Sequence, residues 1–162
     1  MNPYRERILG LVGDRPALSS LEATPARIEA LVARIGRSGM SRACAPGKWT
    51  ARQILAHLAD AEIATGFRLR QALAEDEHVI QPFDQDLWAR RYEALDGEAA
   101  ARAFCALRLW NVALVRTFTP QDLARPMMHP ERGMESVEIL VKLLAGHDLN
   151  HLAQLEQIAA QL

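Results

Sequence analysis

Long hydrophobic runs are missing from this 162-residue chain. No apolar stretch approaches the roughly 20 residues of a bilayer span, so a membrane protein built of helices is not expected. A surplus of charge is missing as well. Lys plus Arg number 19 and Asp plus Glu 20. The chain therefore has neither the basic excess typical of a nucleic-acid binder nor a polybasic anchor for anionic lipid. Cysteine is scarce: Cys44 and Cys105 lie far apart without CxxC spacing. That argues against a disulfide framework and for a reduced, cytoplasmic setting. The opening Met1-Asn2-Pro3-Tyr4-Arg5-Glu6-Arg7 mixes charges of both signs and lacks the apolar stretch of a secretory signal. Alternating β-branched runs, repeats and low-complexity tracts are absent, as are the GxSxG, Walker and GxGxxG patterns.

What is there suits one globular domain, residues 1–162. The chain is 49% apolar and 24% charged, enough for a real core. Asn2 and Pro3 suit the start of a short helix, which Gly10, Gly13 and Pro16 end. Thr24-Pro25 reads as a second start. Ile28, Leu31, Val32 and Ile35 then share one face, and Gly36 and Gly39 stop that helix. Thr50 with Gln53 fits a capping box for a helix reaching about Ala74, with an inward stripe of Ile54, His57/Leu58, Ala61, Thr65 and Leu69. An acidic, irregular stretch around Glu75 to Asp96 follows, longer than a simple connection needs. A further helix begins near Asp96-Gly97 with Ala100, Phe104, Leu107, Asn111, Leu114 and Phe118 inward. Pro126, Pro130 and Gly133 bound a loop with no strand expected. Ser136 caps the last helix, whose stripe is Val137, Leu140, Leu144, His147, His151, Leu155 and Ile158. Four long amphipathic helices predict an all-α four-helix bundle with a short extra N-terminal helix.

Three of the five histidines, His57, His147 and His151, fall on inward stripes. An unpartnered imidazole there costs on the order of 1–3 kcal/mol. His147 and His151 are i and i+4, about 6 Å apart in rise, so one ion can take a ring nitrogen from each. His57 is the remaining stripe histidine and the candidate third ligand. Three neutral imidazoles leave a divalent metal an open position for water or substrate, where bound water is acidified toward a nucleophile. The competing reading is three core histidines hydrogen-bonded to backbone or carboxylate. His147-Asp148-Leu149-Asn150-His151 is not the HExxH of zincins. Asp60, i+3 from His57, is a candidate base, a partner orienting an imidazole, a fourth ligand, or simply a solvated carboxylate. Asp148 and Asn150 point off the stripe toward the surface. His78 and His129 fall in loops, and exposure is expected for His129. Trp49, Trp88 and Trp110 read as core or loop anchors, and Cys105 as a small hydrophobe.

Gly47-Lys48-Trp49-Thr50, His57-Leu58-Ala59-Asp60-Ala61-Glu62, Phe83-Asp84-Gln85-Asp86 and Gly146-His147-Asp148-Leu149-Asn150-His151-Leu152-Ala153-Gln154 together resemble the DinB-like superfamily, including its YfiT-like metal-dependent hydrolases. The resemblance spans residues 20 to 160. It implies an up-down-down-up bundle with one long crossover, frequent homodimers, and a three-histidine site of zinc or nickel on His57, His147 and His151. Activities in the family divide between hydrolysis and thiol-dependent transfer using mycothiol or bacillithiol. The expected function is a metal-dependent, hydrolase-like enzyme acting on a small molecule. The alternatives are a thiol S-transferase, with a low-molecular-weight thiol as co-substrate, and a non-catalytic metal or small-ligand binding stress protein.

Overall fold

Each long helix after the second starts where a polar side chain meets its free amides. The computed structural model describes residues 3–162; Asn2, the expected first cap, lies outside them. Helix α3 (Ala51–Ala74) opens with the anticipated box: Thr50 Oγ1 accepts from the Gln53 amide and Gln53 Oε1 accepts from the Thr50 amide at 2.8 Å. Asp96 caps α5 (Gly97–Val115) and Ser136 caps α7 (Val137–Ala159) by the same chemistry. Short helices α1 (Pro3–Val12), α4 (Gln85–Ala89) and α6 (Pro120–Ala124) complete the set.

Helix α2 spans Ala17–Gly39, so it begins well before the expected Thr24-Pro25 start. Thr24 does not cap; its hydroxyl donates back to the Ser20 carbonyl at 2.9 Å. Pro25 sits inside the helix, where its missing amide leaves the Leu21 carbonyl without its i+4 donor. Arg108 from α5 donates to that carbonyl at 3.3 Å. The proline is tolerated because a neighbouring helix replaces the bond. Gly36 leaves helical geometry (φ 61°), as the expected stop requires.

Around the bundle the order is α2, α5, α3, α7. Gly39 at the end of α2 lies against Leu162, just past the end of α7, so these two run parallel. Gly97 meets Arg52, and Gly66 meets Asn111, so α3 and α5 also run parallel, opposite to the first pair. The connectivity is up-down-down-up. Residues 75–96 form the crossover that two parallel neighbours need, and they carry α4 and a 3-10 turn at Tyr92–Ala94. Helix α1 lies on α7, where Gly146 lets the chain approach: a Cβ there would run into the Ile8 carbonyl oxygen.

The expectation of no strand fails at one place. Pro126–His129 (β1) and Gly133–Ser136 (β2) form an antiparallel hairpin, with His129 opposite Gly133. Four-residue strands are too short for alternation to declare itself. The hairpin is held from outside, by Met128 donating to the His78 carbonyl and Ile80 donating to the Met128 carbonyl.

Two apolar clusters fill the interior. One gathers Ile28, Ile54, Leu58, Phe104, Leu155 and Ile158; the other gathers Leu21, Leu69, Val112, Met127, Val137 and Leu144. Every long helix carries polar side chains between these clusters: Thr24 on α2, Glu62 and Thr65 on α3, Arg108 and Asn111 on α5, and His147, Asp148 and His151 on α7, with His57 at the edge of the first cluster. A polar layer crosses the middle of the bundle, and the histidines belong to it.

Candidate metal centre

His57 reaches in from α3, and His147 and His151 from the antiparallel α7. One nitrogen from each lies within 4.8 Å of the others. The Nε2 atoms of His57 and His147 face each other at 2.7 Å. His151 pairs its Nδ1 with Gln154 Oε1 at 2.8 Å, which leaves its Nε2 free. Trp49 closes one side, 4.8 Å from the His57 ring and nearly parallel to that of His151.

All three rings are held neutral. Burial pulls the His57 pKa down to about 3, with repulsion from His151 adding to it. His147 is driven well below its ordinary value by burial first, then by His151, His57 and Arg108. Burial also lowers His151, against the opposing pull of Gln154 and Asp148. Neutral imidazoles with converging nitrogens are the donor set that zinc and nickel take. Among the described residues Nδ1 of His57 and of His147 are buried without a hydrogen-bond partner. Rings locked for packing would be expected to have one. Bonds of 2.0–2.1 Å put ligand nitrogens about 3.3 Å apart, so the facing Nε2 pair at 2.7 Å would open by about 0.6 Å and nitrogens as far apart as 4.8 Å would close by about 1.5 Å. The residues fit a divalent ion.

Asp60 stands outside this group. Its Oδ2 accepts from the Tyr92 hydroxyl at 2.8 Å, and His57 Nδ1 has no bond to it. Burial and the Asp60 carboxylate both raise the Tyr92 pKa, so that proton stays on the phenol.

The structure corrects the expectations for Asp148, the α5 stripe, His129 and Trp110. Asp148 is not at the surface: it is 1% exposed and takes both Nη groups of the equally buried Arg108. Arg108 Nη2 also donates to Glu62 Oε1 at 2.6 Å, and Asn111 Nδ2 donates to Glu62 Oε2 at 3.0 Å. The α5 stripe runs through Ala101, Phe104, Arg108, Asn111 and Val115, one position off the expected Ala100 and Leu107, because the charge is satisfied inside. His129 is 2% exposed, held in β1 with Arg132 Nη1 at 2.8 Å from its Nε2. Trp110 is no anchor; it is 67% exposed, with the Arg70 guanidinium over its ring. Asn150 is half-buried and accepts from Arg7 at 2.9 Å. The signal for Arg108 was legible in principle, since it follows the inward Phe104 by one helical turn, and a buried arginine demands carboxylates such as Glu62 and Asp148.

Two cavities meet at the histidines. The larger, of 310 Å³, reaches His57 and His147 from the side of Arg68, Phe83, His129 and Leu144. The other, of 260 Å³, reaches all three from the side of Lys48 and Trp49. Among the described residues no helix is long and apolar enough to cross a membrane.

The DinB superfamily model matches residues 20–155. The chain belongs to this superfamily. A relative in Oceanobacillus iheyensis, named "Putative metal-dependent hydrolase", is 30% identical over 142 residues, 87% of this chain and 83% of the relative. YfiT of Bacillus subtilis, with the same name, is 26% identical over 146 residues, 88% and 82% of the two chains. The solved YfiT structure, described as an unusual four-helix bundle, matches with a TM-score of 0.83 over 90% of this chain and 85% of that one. A mycothiol-dependent maleylpyruvate isomerase shares the fold at 12% identity, with a TM-score of 0.72 over 96% of this chain and 63% of that one.

Proposed function

We propose that this DinB protein is a metal-dependent hydrolase of a small molecule, with His57, His147 and His151 as ligands of one zinc or nickel ion. The observation that carries the reading is three neutral imidazoles from two helices converging on one point between two cavities. A bound ion would supply Lewis acidity, polarising a substrate group or acidifying water. The chain's own part is to present uncharged donors, to keep the ion's surroundings buried, and to shield one side with Trp49. Asp60 and Tyr92 act as a proton-holding pair beside the site. Residues 1–162 work as one domain, in the reduced cytoplasm that two free cysteines suit.

The test is elemental analysis of untagged protein, followed by assay of the loaded protein on a panel of esters, amides and other electrophiles. About one equivalent of metal with thiol-independent turnover supports hydrolysis. Less than about a tenth of an equivalent after both metals are offered rejects it. A second reading, thiol-dependent transfer, draws on the presence of two cavities that both contain His57 and His147, room for a thiol on one side and an electrophile on the other. Turnover that requires a low-molecular-weight thiol selects it. A homodimer is part of the proposal: α3 and α5 leave Ile63, Phe67, Leu109 and Trp110 more than half exposed. Sedimentation equilibrium of the wild type and of Phe67→Glu checks it.

A further inference from the structure

We infer that the larger cavity receives a small organic anion, whose oxyanion end rests on Arg68 and whose apolar middle lies along Leu140, Leu143 and Leu144. This deepens the hydrolase reading and rests on it only for which end of the ligand reacts.

One face of α3 forms a wall of this cavity. His57, Ala61, Thr65 and Arg68 follow each other at helical spacing, and all four line the cavity. About 16 Å of helix separates the first from the last. Helical side chains lean toward the N-terminus, so Arg68 leans back toward His57. The facing wall comes from α7, where three buried leucines precede His147. Along its length the cavity runs from a charged end, where Arg68, Arg132 and Glu131 gather, through an apolar middle to an imidazole-lined end.

No carboxylate bonds Arg68 directly, although Glu131 and Glu135 act on it from a distance. Its Nη2 donates to the Gln81 carbonyl at 3.0 Å, and its guanidinium lies 5.4 Å over the Phe83 ring. Among the described residues it makes no ion pair with a carboxylate. The second cation of the wall, Arg132, is differently placed: Glu135 takes its Nε and Nη2 at 2.8 Å each. Glu131 is exposed and lines the same cavity. Burial first, and then the neighbouring Arg132, push the Arg68 pKa down against the opposing pull of Glu135 and Glu131. A planar guanidinium with free N–H groups in a half-closed wall suits a carboxylate or phosphate. Both sources share that chemistry.

The experiment is calorimetric titration with sodium hexanoate, hexyl phosphate and neutral hexanamide, on metal-free and zinc-loaded protein. In the metal-free protein at least one anion should bind on the order of tenfold more tightly than the amide, as a charge-assisted hydrogen bond provides. Which anion gains more identifies the oxyanion. Arg68→Gln should erase that preference while leaving hexanamide binding unchanged, and Arg68→Lys should retain part of it. Equal affinities, no binding of any probe, or a preference that survives Arg68→Gln overturns the inference. Metal-free protein separates this outcome from failure of the hydrolase reading: a chain that binds no metal can still show the preference, and a metal protein can lack it.

Discussion

Lowering the pH of metal-free protein from 7 to 5 should destabilise it through His57 by about 2 kcal/mol. The unfolded imidazole titrates near 6.5 and the buried one at about 3. Between those values the unfolded chain binds more protons than the folded one, so stability falls as pH falls. The loss begins below the unfolded pKa and approaches about 1.4 kcal/mol per pH unit until the folded pKa is reached. Carboxylates titrate in the same window, so wild type must be set against His57→Leu, which removes the imidazole and keeps an apolar side chain. Urea denaturation at pH 5, 6 and 7 gives both curves. Relative to wild type, the variant should gain about 2 kcal/mol between pH 7 and 5, whatever its absolute stability. Parallel curves would refute the premise that His57 is buried uncharged. The same premise underlies its assignment as a metal donor.

Other perturbations probe separate parts of the structure. His147→Ala or His151→Ala should abolish metal binding, read by elemental analysis, while circular dichroism still shows a folded helical protein; unfolding of both would mean the rings serve packing. Saturating zinc at a thousandfold over its dissociation constant should raise the stability of wild type by about 4 kcal/mol and that of these variants hardly at all, read by thermal melts. Arg108→Met should cost about 3–5 kcal/mol in denaturant titrations, because Glu62 and Asp148 lose the cation between them. Gly146→Ala should lift α1 from α7, seen as faster hydrogen exchange and proteolysis in residues 3–12 with the four long helices intact.

Much of the bundle was legible because its signals are local. Capping residues and periodic apolar positions placed α3, α5 and α7 within a few residues of their true bounds. His57, His147 and His151 were legible for a related reason: a polar side chain on an apolar stripe violates the pattern that locates the helix. What escaped depends on partners distant in sequence. Pro25 looked like a beginning because its lost hydrogen bond is made good by a residue from α5. The hairpin escaped because its order comes from the segment at His78 to Ile80. Asp148 looked superficial because it leaves α7 at an angle to the two histidines, and that direction points into the bundle once α5 is in place.

Arg108 gives that placement its consequence for the site. From α5 it reaches the Leu21 carbonyl on α2, Glu62 on α3 and Asp148 on α7. One side chain therefore ties together all four long helices at the level of the polar layer. Asp148 is the residue after His147, so clamping it fixes the rotation of α7 about its axis, and with it the direction in which His147 and His151 point. Glu62 lies five residues after His57 and fixes α3 in the same way. Arg108 contributes one positive charge against two buried carboxylates, and one of these, Asp148, draws positive charge toward His151. That arrangement has an electrostatic cost when the histidine site is empty, and a divalent cation there would offset it. Metal affinity should therefore fall in Glu62→Gln, which touches no ligand, by an amount that a competitive chelator titration against wild type can measure. Unchanged affinity in a folded variant would confine the buried carboxylates to holding the helices in register.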